Sequence, residues 1–270
     1  MINSIVKTIL LALLFFPTLL SRAENGSSPV SSFMGIKVGY RNIATMDKLY
    51  SPFVYAGQSS VFGIGWGKDK ANLSFETDIH FSNTTRTAHS LEGIQQSYEQ
   101  GHFLLEKNSF LLDVNDYYRF CLTDSHRDLQ IYFSGLWFTS VNITTNANGL
   151  PELIQSGLAP GIMLRSTPGK HHFRAELHVP LVAWTVRNHY SLSAPQTYEK
   201  LSKFDYILRN SLFQTPISNP VFFATFSYGY SFSKKISARA GYNFRYLHNR
   251  TPLLLQSVSG VYSISFIYTR

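Results

Sequence analysis

The chain is 270 residues long, with 15% charged residues, 15% aromatic residues and a formal net charge of +8. Soluble domains usually carry nearer a quarter charged residues, so the composition speaks against an ordinary soluble globule. The basic residues are spread along the chain without a basic motif, which argues against nucleic acid as a partner, and no stretch reaches the roughly 18 apolar residues of a spanning helix.

The first segment reads as a targeting signal. Lys7 precedes an apolar run over 9–20, and Ser21-Arg22-Ala23 supplies small residues at the positions a signal peptidase reads. Cleavage is expected before Glu24, leaving one domain over 24–270. Loss of Lys7 and Arg22 leaves 22 basic against 16 acidic residues, a net charge of +6. Cys121 is the single cysteine, so no intramolecular disulfide can form.

Beyond the signal, apolar and polar side chains alternate with the period of two that puts them on opposite faces of a strand. The first strand is expected near 33–41, with Met34, Ile36, Val38 and Tyr40 opposite Lys37 and Arg41. The second, near 59–67, shows Phe62, Ile64 and Trp66 on one face. A tight turn over 67–70 leads into the third, near 71–82, where Leu73, Phe75, Thr77, Ile79 and Phe81 oppose Ser74, Glu76, Asp78 and His80. The fourth, near 109–121, alternates through Phe110, Leu112 and Val114, but Asp116 falls on the apolar face. A bulge or an early strand end near Asn115 is expected there.

The fifth strand, near 129–141, turns Ile131, Phe133, Trp137 and Val141 one way. The sixth, near 157–165, does the same with Leu158, Ile162 and Leu164. The seventh, near 171–184, sets Phe173, Ala175, Leu177 and Val179 against His172, Arg174, Glu176 and His178. Three more run to the C-terminus, marked by Phe226, Tyr228 and Tyr230, by Ala238, Ala240 and Tyr242, and by Ile264, Phe266 and Tyr268.

Connections after even-numbered strands are short, near 68–70, 123–127, 166–170 and 233–235. Those after odd-numbered strands are long, near 42–58, 83–108, 142–156, 188–219 and 248–256. A sandwich has no reason to sort its loops in this way. A membrane barrel has, with turns on one side and loops on the other. The expectation is an all-β, transmembrane, antiparallel up-and-down barrel of about ten strands, monomeric and without a cofactor.

In strand pattern and loop layout, nearly all of 24–270 resembles Gram-negative outer-membrane β-barrels. The resemblance implies residence in the outer membrane, in contact with lipid and lipopolysaccharide, and insertion by the barrel-assembly machinery. That machinery reads a terminal aromatic residue; Phe266 and Tyr268 are suitably placed, although Thr269-Arg270 follow them. The surplus of positive charge would favour lipopolysaccharide phosphates.

The polar face collects Lys37, Arg41, Glu76, Asp78, His80, Asp113, Arg119, His172, Arg174, Glu176, His178, Arg239 and Arg245. In a lumen little wider than that of an eight-stranded barrel such charges must pair. They form either a salt-bridged plug or the lining of a narrow conduit. Enzymatic candidates are few. Asp78-Ile79-His80 resembles the Asp-x-His dyad of omptin proteases, but the second acid pair is absent. His80-Phe81-Ser82 and His189-Tyr190-Ser191 resemble the lipid-facing His-x-Ser pair of outer-membrane phospholipase and lipid A deacylase, without an evident third residue to orient the base. Glu176, His178 and His172 do not make a three-ligand metal set. The expected role is therefore a narrow channel, a surface-binding protein or a structural barrel, with an outer-membrane hydrolase as the alternative.

Overall fold

A computed structural model describes residues 31–48, 54–70, 72–89, 106–123, 129–144, 151–187, 211–215, 220–249 and 254–270. The signal sequence, His189, Ser191 and the expected loop core over 188–210 lie outside these residues. The described residues form twelve β-segments: β1 (Ser31–Asp47), β2 (Val54–Lys70), β3 (Leu73–His89), β4 (Glu106–Cys121), β5 (Leu129–Thr144) and β6 (Pro151–Ser166), followed by β7 (His171–His178), β8 (Val182–Arg187), β9 (Ser211–Gln214), β10 (Val221–Ser231), β11 (Ile236–Asn249) and β12 (Leu255–Thr269). Neighbours follow the order β5-β4-β3-β2-β1-β12-β11-β10-β7-β6, and β6 returns to β5, so the sheet closes.

Two staves are interrupted. β7 pairs with 161–166 of β6 and β8 with 153–158, so together they make one stave. β9 and β10 lie beside β8 and β7 and make the next. The barrel therefore has ten antiparallel staves. The break between β7 and β8 falls at Pro180, which has no N–H to offer the ladder. Its neighbours Val179 and Leu181 still donate to Pro160 and Leu158, at 3.1 and 2.9 Å. Closure pairs every strand of the apolar belt on both sides, the condition for β-structure in hydrocarbon, while short β9 pairs, among the described residues, only with β8. At the turn between β6 and β7, Gly169 takes a φ of 61°, where a side chain would be strained.

Side-chain direction is inverted relative to a soluble protein. Met34, Ile36, Phe226 and Phe266 are more than half exposed, whereas Glu76, Arg119 and Glu176 are buried. Aromatic residues edge this outer band, with Trp66, Phe120, Phe232 and Tyr268 toward the tight turns and Tyr40, Phe81, Phe110 and Tyr262 on the other side. An apolar belt with aromatic girdles outside, and charge within, is the arrangement of an outer-membrane-type barrel.

Two expectations are corrected. First, the strands run well past the points at which the alternation fades. β1, β2 and β3 have 17 residues each, against the 9–11 or so that cross a bilayer. The intervals after β1, β5 and β11 shrink to 48–53, 145–150 and 250–254, while those after β3 and β8 stay long at 90–105 and 188–210. Beyond Tyr40 the outward residues are Asn42, Ala44 and Met46; beyond Phe62 and Phe81 they include Ser60, Gln58, Asn83 and Thr85. There both faces favour polar residues, so the hydrophobic period disappears although the backbone ladder continues.

Second, β4 has no bulge at Asn115. Its ladders to β3 and β5 run unbroken through Asp116, which faces outward. Thr77, directly opposite, donates its hydroxyl to the Asp116 carboxylate at 2.6 Å. One cross-strand donor thus holds the acid in register on the lipid face.

Candidate functional site

The lumen is filled by polar side chains in layers. In the lower layer, toward the tight turns, β3, β4, β7 and β11 supply Glu76, Arg119, Arg174, Glu176 and Arg239. Arg119 donates from Nε and Nη2 to Glu176, at 2.9 and 3.1 Å, and from Nη1 to Glu76 at 2.9 Å. Arg174 reaches the same two acids, Glu76 at 2.6 Å and Glu176 at 2.8 and 3.1 Å. Arg239 donates to the remaining oxygen of Glu76 at 3.1 Å. Ser134 donates to Glu176, and His178 Nε2 lies 2.9 Å from the Ser134 hydroxyl. The Tyr117 ring receives the Arg119 guanidinium 4.5 Å from its centroid. Forked guanidiniums and two-oxygen acids suit one another in this way because their hydrogen bonds run in parallel pairs.

Above this layer sit Lys37, Asp78 and His80. The Lys37 ammonium donates to Asp78 and lies 2.8 Å from His80 Nε2, which is itself 3.0 Å from Asp78. Room for His80 and His178 comes from glycine. Gly63 stands opposite His80 and Gly161 opposite His178. A Cβ at either position would meet the facing imidazole, at 2.8 Å from His80 Cδ2 and 2.5 Å from His178 Cδ2.

The upper layer is built on Asp113. Arg41 donates to one carboxylate oxygen, while Ser140 at 2.6 Å and Arg245 at 3.5 Å reach the other. Arg245 also donates to Gln155, and its guanidinium lies 5.4 and 5.8 Å from the ring centroids of Phe223 and Phe138. Toward the long-loop end, Arg187 and Asp47 form a further buried pair. Between the layers the lumen is divided into separate cavities. One of about 230 Å³ lies below Arg239, one of about 30 Å³ between Glu76 and Lys37, and one of about 90 Å³ above His80.

The residues expected to share the lumen are distributed over these layers. Glu76, Arg174, Glu176, His178 and Arg239 meet in the lowest, Lys37, Asp78 and His80 in the middle, and Arg41 and Arg245 in the upper. His172 stands apart, bonded to Ser231 at 2.7 Å. Of the hydrolase candidates among the described residues, Asp78 and His80 stand 3.0 Å apart, but His80 and Ser82 are not joined. His80 and Ser82 are buried in the lumen, not turned to lipid. His80 Nε2 faces Lys37 and Asp78, and the Ser82 hydroxyl has no hydrogen-bond partner among the described residues. Held between that ammonium and that carboxylate, the ring nitrogen is not presented to the Ser82 hydroxyl.

Several members of the site were not singled out from the sequence. Ser134, Ser140 and Tyr117 occupy inward positions that the period of two would have marked, but they carry no charge to draw notice. Asp47 and Arg187 lie where the alternation has already faded.

No protein-family model matches this chain, and no curated protein matches it. Solved structures to which it is similar include the outer membrane protease OmpT from Escherichia coli, with 8% identity over 93% of this chain and 100% of that one, at a TM-score of 0.49. Neisserial surface protein A shows 9% identity over 87% and 96% of the two chains, at 0.36. The translocator domain of the autotransporter NalP from Neisseria meningitidis shows 10% over 98% and 97%, at 0.34. Likeness so distant carries no argument about activity; the membrane-barrel assignment rests on the closed strand order and the outward apolar belt.

Proposed function

We propose that this protein is a monomeric barrel of a Gram-negative outer membrane, in contact with lipid and lipopolysaccharide, that works as a surface-binding protein and conducts no solute. The observation that carries this reading is the stack of interlocked ion pairs across the lumen. An ion passing through would have to displace guanidiniums from Glu76, Glu176 and Asp113, and separating one partner of a buried pair costs about 3–5 kcal/mol. Evolved pores line their walls with charge and leave the axis open; here the charges meet across the axis. What remains for contact is the rim, where the wall continues past the apolar belt. A hydrolase built on His80 and Ser82 is not put forward, because His80 is bound within the Lys37–Asp78 cluster.

Planar-bilayer recording tests the reading. Protein whose folding is verified by heat-modifiable mobility should insert and remain electrically silent. Reproducible unitary conductance steps from that material would overturn it.

A further inference from the structure

The cavity of about 90 Å³ above His80 is unlike the others in its walls. Ile43, Leu111, Leu153, Leu247 and Leu255 provide an apolar lining, while Arg41 and Arg245 enter from β1 and β11. The two guanidiniums share the single carboxylate of Asp113. Arg41 is 3% exposed, and its buried Nε has no hydrogen-bond partner among the described residues. A cation so placed is costly unless an anion or an acceptor completes it. Ser140, Asn142 and Ser257 add polar points to the wall and Asp47 lines its rim end, but most of the remaining surface is hydrocarbon, so a fully hydrated ion such as phosphate is a poor match. An anion with one charged end and a short apolar body fits both halves of the wall.

We propose that this chamber binds a small monocarboxylate of two or three carbons, with its carboxylate between Arg41 and Arg245 and its alkyl end against Ile43, Leu247 and Leu255. Size sets the limit. A cavity of about 150 Å³ accommodates benzene, with six heavy atoms, so about 90 Å³ suits four or five. Acetate and propionate have that size. The chamber reaches Asp47 and Leu255, at the ends of β1 and β12 away from the tight turns, so the ligand enters from the rim side. In that respect the inference rests on the closed-barrel reading: the chamber is a side pocket approached from the rim, not a station on a path.

Calorimetric titration of the full-length folded protein in detergent micelles, with sodium propionate replacing sodium chloride at constant ionic strength, provides the test. Saturable binding in about the millimolar range is expected for so small a ligand. Propionamide, which has the same shape without the charge, should not bind. Arg245→Gln should weaken propionate at least tenfold, whereas Arg239→Gln, which removes a cation from the lower layer, should leave it within twofold. Ser259→Leu, directly across the ladder from Arg245, adds bulk to the chamber without removing a charge and should abolish binding, so the proposal remains testable if Arg245→Gln does not fold. Absence of saturable propionate binding to the folded protein, equal binding of propionamide, or full affinity in folded Ser259→Leu would each overturn the proposal. Dodecanoate outcompeting propionate for the same site would overturn the size assignment. Micelle binding does not depend on conductance, so failure here and failure of the closed-barrel reading are told apart.

Discussion

In the lower layer three guanidiniums grip two carboxylates, and the outermost cation, Arg239, has a side chain 32% exposed to water. In the upper layer two guanidiniums share Asp113, and their side chains are 3% and 19% exposed. Each layer has one cation more than it has acids, yet the consequence differs. Beside the large lower cavity, water screens the surplus charge at little cost. Beside leucines and a small chamber it does not, and the demand for an anion persists. Where a spare charge sits decides whether it is structural ballast or a recognition element.

The contrast can be broken by substitution. Glu176→Leu should have the largest effect, about 3–5 kcal/mol of lost stability, because it leaves Arg119, Arg174 and Arg239 to share the single carboxylate of Glu76 in a buried layer. Urea unfolding in lipid vesicles, followed by tryptophan fluorescence, reads that loss directly. Asp113→Asn should cost less, about 2–3 kcal/mol, because the amide oxygen can still accept from one arginine. A larger penalty for Asp113→Asn than for Glu176→Leu would reverse the ranking of the two layers. Arg239→Met should shift stability by no more than about 1 kcal/mol, since the charge removed is already solvated. If it proves as damaging as Glu176→Leu, the lower layer is drier than its exposure indicates.

Much of this arrangement is legible in the residues, but only within limits. Met34, Ile36, Val38 and Tyr40 disclose the outward face of β1 because lipid demands apolar side chains there. Asn42 and Met46 disclose nothing, since past the belt both sides of the wall tolerate polar groups. The inward direction of Glu76 follows from its place between Phe75 and Thr77. Its partners do not, because Arg174 and Arg239 are 98 and 163 residues away. Strand register brings them together, and register is invisible in a local pattern. Asp116 shows the opposite failure: the pattern marked a misfit, but the hydroxyl that accommodates it belongs to Thr77 on another strand.

The length of β1 to β3 bears on what can touch this molecule. Seventeen residues per strand at about 3.3 Å each, leaning by about 40°, rise roughly 40 Å, some 15 Å more than a hydrocarbon belt of about 25 Å. The upper collar is thus a stiff hydrogen-bonded cylinder standing in the aqueous layer. The strand ends are held above the lipid as on a turret, where a large visitor can reach them without grazing the bilayer.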